Sequence, residues 1–419
     1  MKIICCTDPA KEERIIVMMI LRNCRLVPAL TEGFNETMGD MVLEGKEIKE
    51  ILPVGMLQTE GAEELDVDGA TVLPGFFDLH AHLMFVNQDY NASVMRTQNQ
   101  YLLDCMEYAK VYLKHGYTTI RDCGNDFYTG AATRQAVNRG IIQGARIITS
   151  GKIISPIAKG NKSFGTLYEE VDRPEEMMRV CRNEVVQGVD FIKYMVTGAV
   201  LNESGVPGEM VTTPAEIKAI VEAADSLGTY VAAHCHGTEG IKQAVINGVR
   251  TIEHASYMDE ECIELILKYG CRSSLVPTLS IAYSLFNHFF DGAILQEFMD
   301  KARTACTHMM RGIIMAESAG ITVGWGTDFD RENFDKYVGL EFTARGEIGI
   351  ANETILRQAT INSAKIVGLE DKLGTIKCGK YADLAIMAGK PDEDLSTMKQ
   401  LPLYVFKEGV CVEGTALKK

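Results

Sequence analysis

A chain of 419 residues, 46% hydrophobic and 24% charged with 11 prolines, has the composition of a folded protein with a large core and exceeds the usual size of one domain. Its 42 Lys and Arg against 57 Asp and Glu give a formal net charge of −15, with no basic run. That balance argues against nucleic acid or an anionic membrane as partner and suits neutral or cationic small molecules. The 12 cysteines are scattered without a C-x-x-C pair, the pattern of reduced thiols in a cytoplasmic protein.

The opening Met1-Lys2-Ile3-Ile4-Cys5-Cys6-Thr7-Asp8 turns polar too soon for a secretion signal, and no apolar run approaches the length of a membrane span. Residues 1–16, with Asp8-Pro9 and the charged Lys11–Arg14, read as a leader. From Ile15 to Val54 short apolar segments alternate with turn signals, the pattern of a small β structure. A matching pattern returns at Tyr381–Met387 and Leu403–Gly409. Residues 17–73 and 376–419 are therefore expected to form one discontinuous β-sandwich domain around a long middle, 74–375.

The middle alternates strands and helices. Strand candidates lie near 75–80, 117–122, 145–149, 190–195, 229–234, 249–253, 272–276 and 321–326. The helix over 214–227 has a strong start: Thr213 caps it, Pro214 fits its first turn, Glu216 completes a capping box, and Gly228 marks its end. Eight strands alternating with helices over about 300 residues point to an α/β fold, a distorted (β/α)8 TIM barrel, whose functional residues sit at the C-terminal ends of the strands.

Ligand-type residues collect at that edge. Leu73-Pro74-Gly75-Phe76-Phe77-Asp78-Leu79-His80-Ala81-His82 reads as a buried strand ending in His-x-His, and side chains two apart on a strand point the same way. Asp190–Met195 carries Lys193 in an apolar run, and Tyr230–His236 ends with His234 and His236 on one face. Arg250-Thr251-Ile252-Glu253-His254 and Gly324-Trp325-Gly326-Thr327-Asp328 close the sixth and eighth strands. Cys235 alternates away from its histidine neighbours and reads as packing. Tyr194 alternates away from Lys193 and reaches a pocket only where the strand end is irregular. Arg121 and Asp122 read as a barrel-internal ion pair, and His115, His288 and His308 sit on helical stretches.

From residue 17 onward the chain resembles the amidohydrolase superfamily, and within it the imidazolonepropionase-related dipeptidases and amidases that cleave Xaa-Pro or Xaa-Arg dipeptides or ochratoxin-type amides. The likeness rests on the strand segments above, on Gly116–Asp122, on His234-Cys235-His236-Gly237, and on Asp371–Leu384, where such enzymes re-enter the β domain. It implies two divalent metal ions, Zn²⁺ first, with Mn²⁺, Co²⁺ and Fe²⁺ suited to the same donors. His80, His82 and Asp328 would hold the more buried ion, and His234 and His254 the more exposed one. Lys193 would bridge them as a carbamate, since burial of an amine in an apolar strand favours its neutral form, which reacts with carbon dioxide.

The expected reaction is hydrolysis of a C–N amide bond in a small dipeptide or N-acyl amino acid, by attack of a metal-bridging hydroxide. Asp328 is the catalytic acid–base, and an acid beside two cations is expected to start ionised. His236 is a second catalytic or substrate-contacting group. Tyr194, Lys159, Lys162 and Arg331 are the remaining substrate-binding candidates, the three cations because a free carboxylate needs a positive partner. The third loop, Lys159-Gly160-Asn161-Lys162, stands where relatives often carry Gly-Gly-His, and Thr197-Gly198-Ala199-Val200 replaces a more usual Ser-Gly-Gly. Both departures turn the expectation toward bulkier acyl or aryl amides. A cyclic amidohydrolase or deaminase on the same scaffold is the enzymatic rival, although those generally use one metal and lack the bridging lysine. A non-catalytic assembly scaffold is the rival from another class, and a homo-oligomer is compatible with any of the three.

Overall fold

Most strands in the middle of the chain are buried on both faces, whereas most near its ends are not, and the architecture follows that division. The computed structural model describes residues 18–57, 62–87, 95–199, 208–269, 273–287 and 296–414. The leader expected at 1–16, Val200 and His288 lie outside the described residues.

In chain order, β1 (Met18–Leu26), β2 (Met38–Glu44), β3 (Glu47–Pro53), β4 (Glu63–Asp66) and β5 (Thr71–Pro74) come first. The middle holds β6 (Phe76–Ala81), β7 (Tyr117–Asp122), β8 (Arg146–Thr149), β9 (Ile153–Ser155), β10 (Tyr168–Glu170), β11 (Ile192–Met195), β12 (Val231–Cys235), β13 (Thr251–His254) and β14 (Ser274–Val276). The last three are β15 (Leu384–Met387), β16 (Tyr404–Lys407) and β17 (Val410–Gly414).

Both chain ends enter one mixed sheet in the order β17-β16-β15-β5-β1-β2-β3, with β4 beside β1. The joint is the antiparallel pairing of β5 with β15, Leu73 opposite Ala385. One face of this sheet buries Leu21, Met41, Ile48, Val72, Leu384, Ile386 and Phe406 together.

The middle strands pair in parallel, as β6-β7-β8 and as β10-β9-β11-β12-β13-β14. Every residue of β6, β7, β11, β12 and β13 is buried, as expected of parallel strands covered on both sides. Alternate residues Ile192, Tyr194, Val231, Ala233, Cys235 and Ile252 share one apolar cluster with Val180, Ile217, Ile220, Ile241 and Ala244 of the flanking helices. The residues between them on the strands, Lys193 and His234, turn the opposite way.

The helix Pro214–Ser226 starts as its sequence demands. Thr213 accepts from the Glu216 N–H, and the Glu216 side chain returns to the Thr213 N–H.

The eighth expected strand, 321–326, is corrected: it makes only an isolated parallel bridge, Val323 to Leu275. The segment is nonetheless bonded on both sides, Gly324 N–H to the Leu275 carbonyl at 2.8 Å and Leu79 N–H to the Trp325 carbonyl at 2.7 Å. Its glycines explain the tight fit. A Cβ on Gly324 would stand 2.5 Å from Ile366 Cδ1, and one on Gly326 2.8 Å from His80 Cβ.

Candidate metal centre

The end of β6 delivers His80 and His82, whose rings stand 5.6 Å apart. Each is fixed through Nδ1: His80 lies 2.8 Å from Glu253 Oε2 and His82 3.0 Å from the Gly124 carbonyl. Their Nε2 atoms both face Asp328 Oδ1, at 3.8 and 3.7 Å. That is too long for hydrogen bonds. It is the spacing of donors that would share one cation, each about 2 Å from it.

Lys193 of β11 is 1% exposed, with Nζ 3.4 Å from His80 Nε2. From β12 and β13, His234 and His254 bring their rings to 4.5 Å, and His254 stands 4.6 Å from His80. His254 Nδ1 is held by Thr278 Oγ1 at 2.9 Å, and His234 bonds the backbone of Gly198. That leaves His234 Nε2 and His254 Nε2 buried without a hydrogen-bond partner. Buried polar atoms are rarely left so, and a cation is a fitting partner. His236 belongs here too: its Nδ1 is 2.7 Å from Ser256 Oγ, and its ring stacks on His254 at 4.7 Å. Among the described residues three donor groups of three result, His234–His236–His254, His80–His254–Asp328 and His80–Cys123–Glu253, each within 4.8 Å.

Burial keeps all five histidines neutral, holding His82 down to about 4, His236 to about 3, and His80, His234 and His254 well below the usual range. Neutral imidazoles present the lone pairs a metal needs. The ionised start expected of Asp328 belongs to the site with both cations bound. Without a cation, burial pushes it up to about 7 despite the pull of Lys193.

The backbone is strained where the ligand-type residues meet. Asp328, His254 and Ala255 have φ of 56°, 66° and 51°, each costing about 1–3 kcal/mol. Bonds from Asp328 N–H to the His80 carbonyl (2.9 Å) and from Ala255 N–H to the Cys235 carbonyl (3.0 Å) hold them there.

Glu253 is the residue that sequence reasoning missed. On a regular strand it would face away from His254. The left-handed turn at His254 lets both point inward, and Glu253 joins His80 to Arg121 Nη2 (2.7 Å). Burial opposes its charge, yet Arg121 and then His80 hold Glu253 down to about 2. The Arg121–Asp122 pair is therefore corrected. Arg121 pairs with Glu253, while Asp122, on the other strand face, accepts from Thr149 and Asn125.

Of the four remaining substrate candidates, Tyr194 and Arg331 are bonded elsewhere and Lys159 and Lys162 are exposed. Tyr194 is buried among the helices, its hydroxyl 2.5 Å from Thr212 Oγ1. Arg331 turns to Glu107 and Asp104 on the helix Gln98–Lys114. Lys159 and Lys162 reach solvent.

With this geometry in view, the chain matches the amidohydrolase family over residues 71–412. The chain belongs to the amidohydrolase family. Ochratoxinase of Aspergillus niger is 27% identical over 379 residues, covering 83% of this chain and 76% of that protein. Imidazolonepropionase of Thermoplasma acidophilum is 22% identical over 369 residues, covering 80% of each. A solved Xaa-Pro dipeptidase with methionine in its active site superposes with a TM-score of 0.85 at 28% identity, over 95% of this chain and 100% of that one. This amidohydrolase is thus a hydrolase, with the mixed α/β architecture of its barrel-like neighbours. Among its described residues no helix is long and apolar enough to cross a membrane.

Proposed function

We propose that the protein hydrolyses a C–N amide bond of a small substrate, a dipeptide or an N-acyl amino acid, with two divalent cations, Zn²⁺ first. The observation that carries this reading is the pair of unpartnered nitrogens, His234 Nε2 and His254 Nε2, buried beside Lys193, His80, His82 and Asp328. His80, His82 and Asp328 would hold one cation and His234 and His254 the other, with Lys193 carboxylated between them. In forming that carbamate, Nζ adds to the carbon of carbon dioxide and loses a proton. The frame proposed for the site is a (β/α)8 barrel over 74–375 carrying a β-sandwich of 17–73 and 376–419, in a cytoplasmic protein.

The cations, when bound, supply Lewis acidity for the carbonyl and a water that ionises near pH 7. Asp328 takes the proton of the attacking water and returns it to the leaving nitrogen, so that amide and water become acid and amine. His236, its Nδ1 tied to Ser256, presents its other nitrogen to the substrate. The likeness to an ochratoxinase and an Xaa-Pro dipeptidase, at 27% and 28% identity, supports an amide rather than a ring or amidine substrate.

The test combines metal content with cleavage of dipeptides, N-acyl amino acids and aryl amides by zinc- and bicarbonate-loaded protein. Two zinc ions per chain are expected, with cleavage abolished by a chelator. Lys193→Ala should bind at most one ion tightly and lose at least a hundredfold in kcat. A single ion in the wild type, with deamination in place of amide cleavage, would favour the deaminase reading. No metal uptake at all would favour a scaffold.

A further inference from the structure

β13, β14 and the segment 321–326 begin side by side, at the opposite end from the histidines. The Ser274 N–H donates to the carbonyl of Arg250, the residue before β13, at 2.9 Å, and the Leu275 N–H to the Thr322 carbonyl at 3.1 Å. Arg250, Ser274 and Thr322 thus take neighbouring positions, and with Lys365 they line a cavity of about 420 Å³. The helix Ser363–Ile366 brings Lys365 to the wall, anchored where Ile366 packs with Leu79 and Val276. A Cβ on Gly368 would stand 3.9 Å from Arg250 Nη2, so the guanidinium lies close to the turn that follows this helix. At about 3.3 Å per residue, the length of β13 sets Arg250 about 13 Å from His254.

Arg250 differs from the other half-buried arginines. Its guanidinium lies 4.8 Å from the centroid of the Tyr230 ring and, among the described residues, takes no hydrogen-bond acceptor. The others pair with carboxylates, as Arg22, Arg25 and Arg146 do, or, like Arg357, with a carbonyl. Partial burial of a charge without a counter-charge costs hydration, and 57 acidic residues were available in this chain to pair it. Lys365 also has no ion pair among the described residues. One acid, Asp225, shares the wall with these two cations.

The donors fit one kind of anion. A planar guanidinium, an ammonium and the hydroxyls of Ser274 and Thr322 offer more than the two oxygens of a carboxylate take up, whereas a phosphate accepts from all of them. The volume lies in the range of small-molecule sites, about 300–1,000 Å³, and Val221 and Ile366 add apolar wall, so an organic group has room beside the phosphate.

We propose that this cavity binds a phosphate group, as the free anion or as a small monoester, on Arg250 and Lys365. The site is separate from the metal centre and does not depend on the amide-hydrolase reading.

The test titrates inorganic phosphate, ribose 5-phosphate and ribose calorimetrically into zinc-loaded wild type, Arg250→Gln and Lys365→Gln. Both phosphates should bind to wild type and ribose should not. Arg250→Gln should weaken phosphate binding about 10- to 100-fold, the loss expected of charge-assisted hydrogen bonds. Lys365→Gln, at an exposed cation, should weaken it about two- to fivefold. Both variants should keep the zinc content of the wild type, because neither side chain reaches the histidines. Tighter binding of ribose 5-phosphate would support the site with a monoester as its ligand, and equal affinities would support it with the free anion. Failure of both phosphates to bind at about 10 mM, or unchanged affinity in both variants, would overturn the site. Binding that is lost on chelating zinc but kept in Arg250→Gln would overturn it too, by placing the anion on the metals.

Discussion

Replacing Glu253 by alanine should lower the stability of the metal-free protein by about 3–5 kcal/mol. Glu253 and Arg121 are both fully buried, joined at 2.7 Å, and Glu253 also holds His80 at 2.8 Å. Arg121 spends its other donors on the Leu79 carbonyl at 2.6 Å and Thr251 Oγ1 at 3.0 Å, neither of which carries charge. Removing the carboxylate therefore strands a guanidinium inside the strands, and an uncompensated buried charge costs far more than the pair was worth. The loss should appear as a lower denaturant midpoint with an unchanged slope. Arg121→Leu combined with Glu253→Leu should recover much of it, since a buried ion pair replaced by apolar groups of similar volume is often neutral. A loss below about 1 kcal/mol for the single variant would mean that Arg121 does not depend on Glu253. His80 supplies a second readout: without Glu253 its ring is free to turn, and zinc affinity should fall about 10- to 100-fold.

Much of this centre was legible because strand periodicity is simple. His80 and His82 point together, and Lys193 and His234 face the histidines while Tyr194 and Cys235 pack outward, each as alternation requires. The capping box at Thr213 was equally local. What escaped was set by geometry that no period encodes. The left-handed backbone at His254 turns its ring to the same side as Glu253, so alternation alone does not bring the two together. Segment 321–326 reads as a strand from its apolar residues, and its glycines let it press against His80 and Ile366, where it keeps backbone bonds to Leu275 and Leu79 but forms only an isolated bridge. Arg331 has the charge for a substrate carboxylate, and only the position of the helix Gln98–Lys114 reveals that Asp104 and Glu107 occupy it.

Asp328→Asn should lower kcat by about 10²–10⁴-fold while the chain folds as before. Asp328 stands at φ 56°, a left-handed position that Asn and Asp tolerate better than other residues with a side chain. Asparagine therefore keeps the backbone, including the Asp328 N–H bond to the His80 carbonyl, where alanine or glutamate would add strain. It keeps an oxygen beside His80 and His82 as well. What it cannot do is take a proton from the attacking water and give it to the leaving nitrogen. The loss should consequently fall on kcat, with KM for the same amide changed by less than about threefold, because the interaction removed acts in the transition state. His80, His82, Lys193, His234 and His254 remain, so zinc content should stay close to that of the wild type. Turnover near the wild-type level in a folded, zinc-loaded variant would remove Asp328 from proton transfer. A rise in KM with kcat unchanged would instead make it a substrate-binding group.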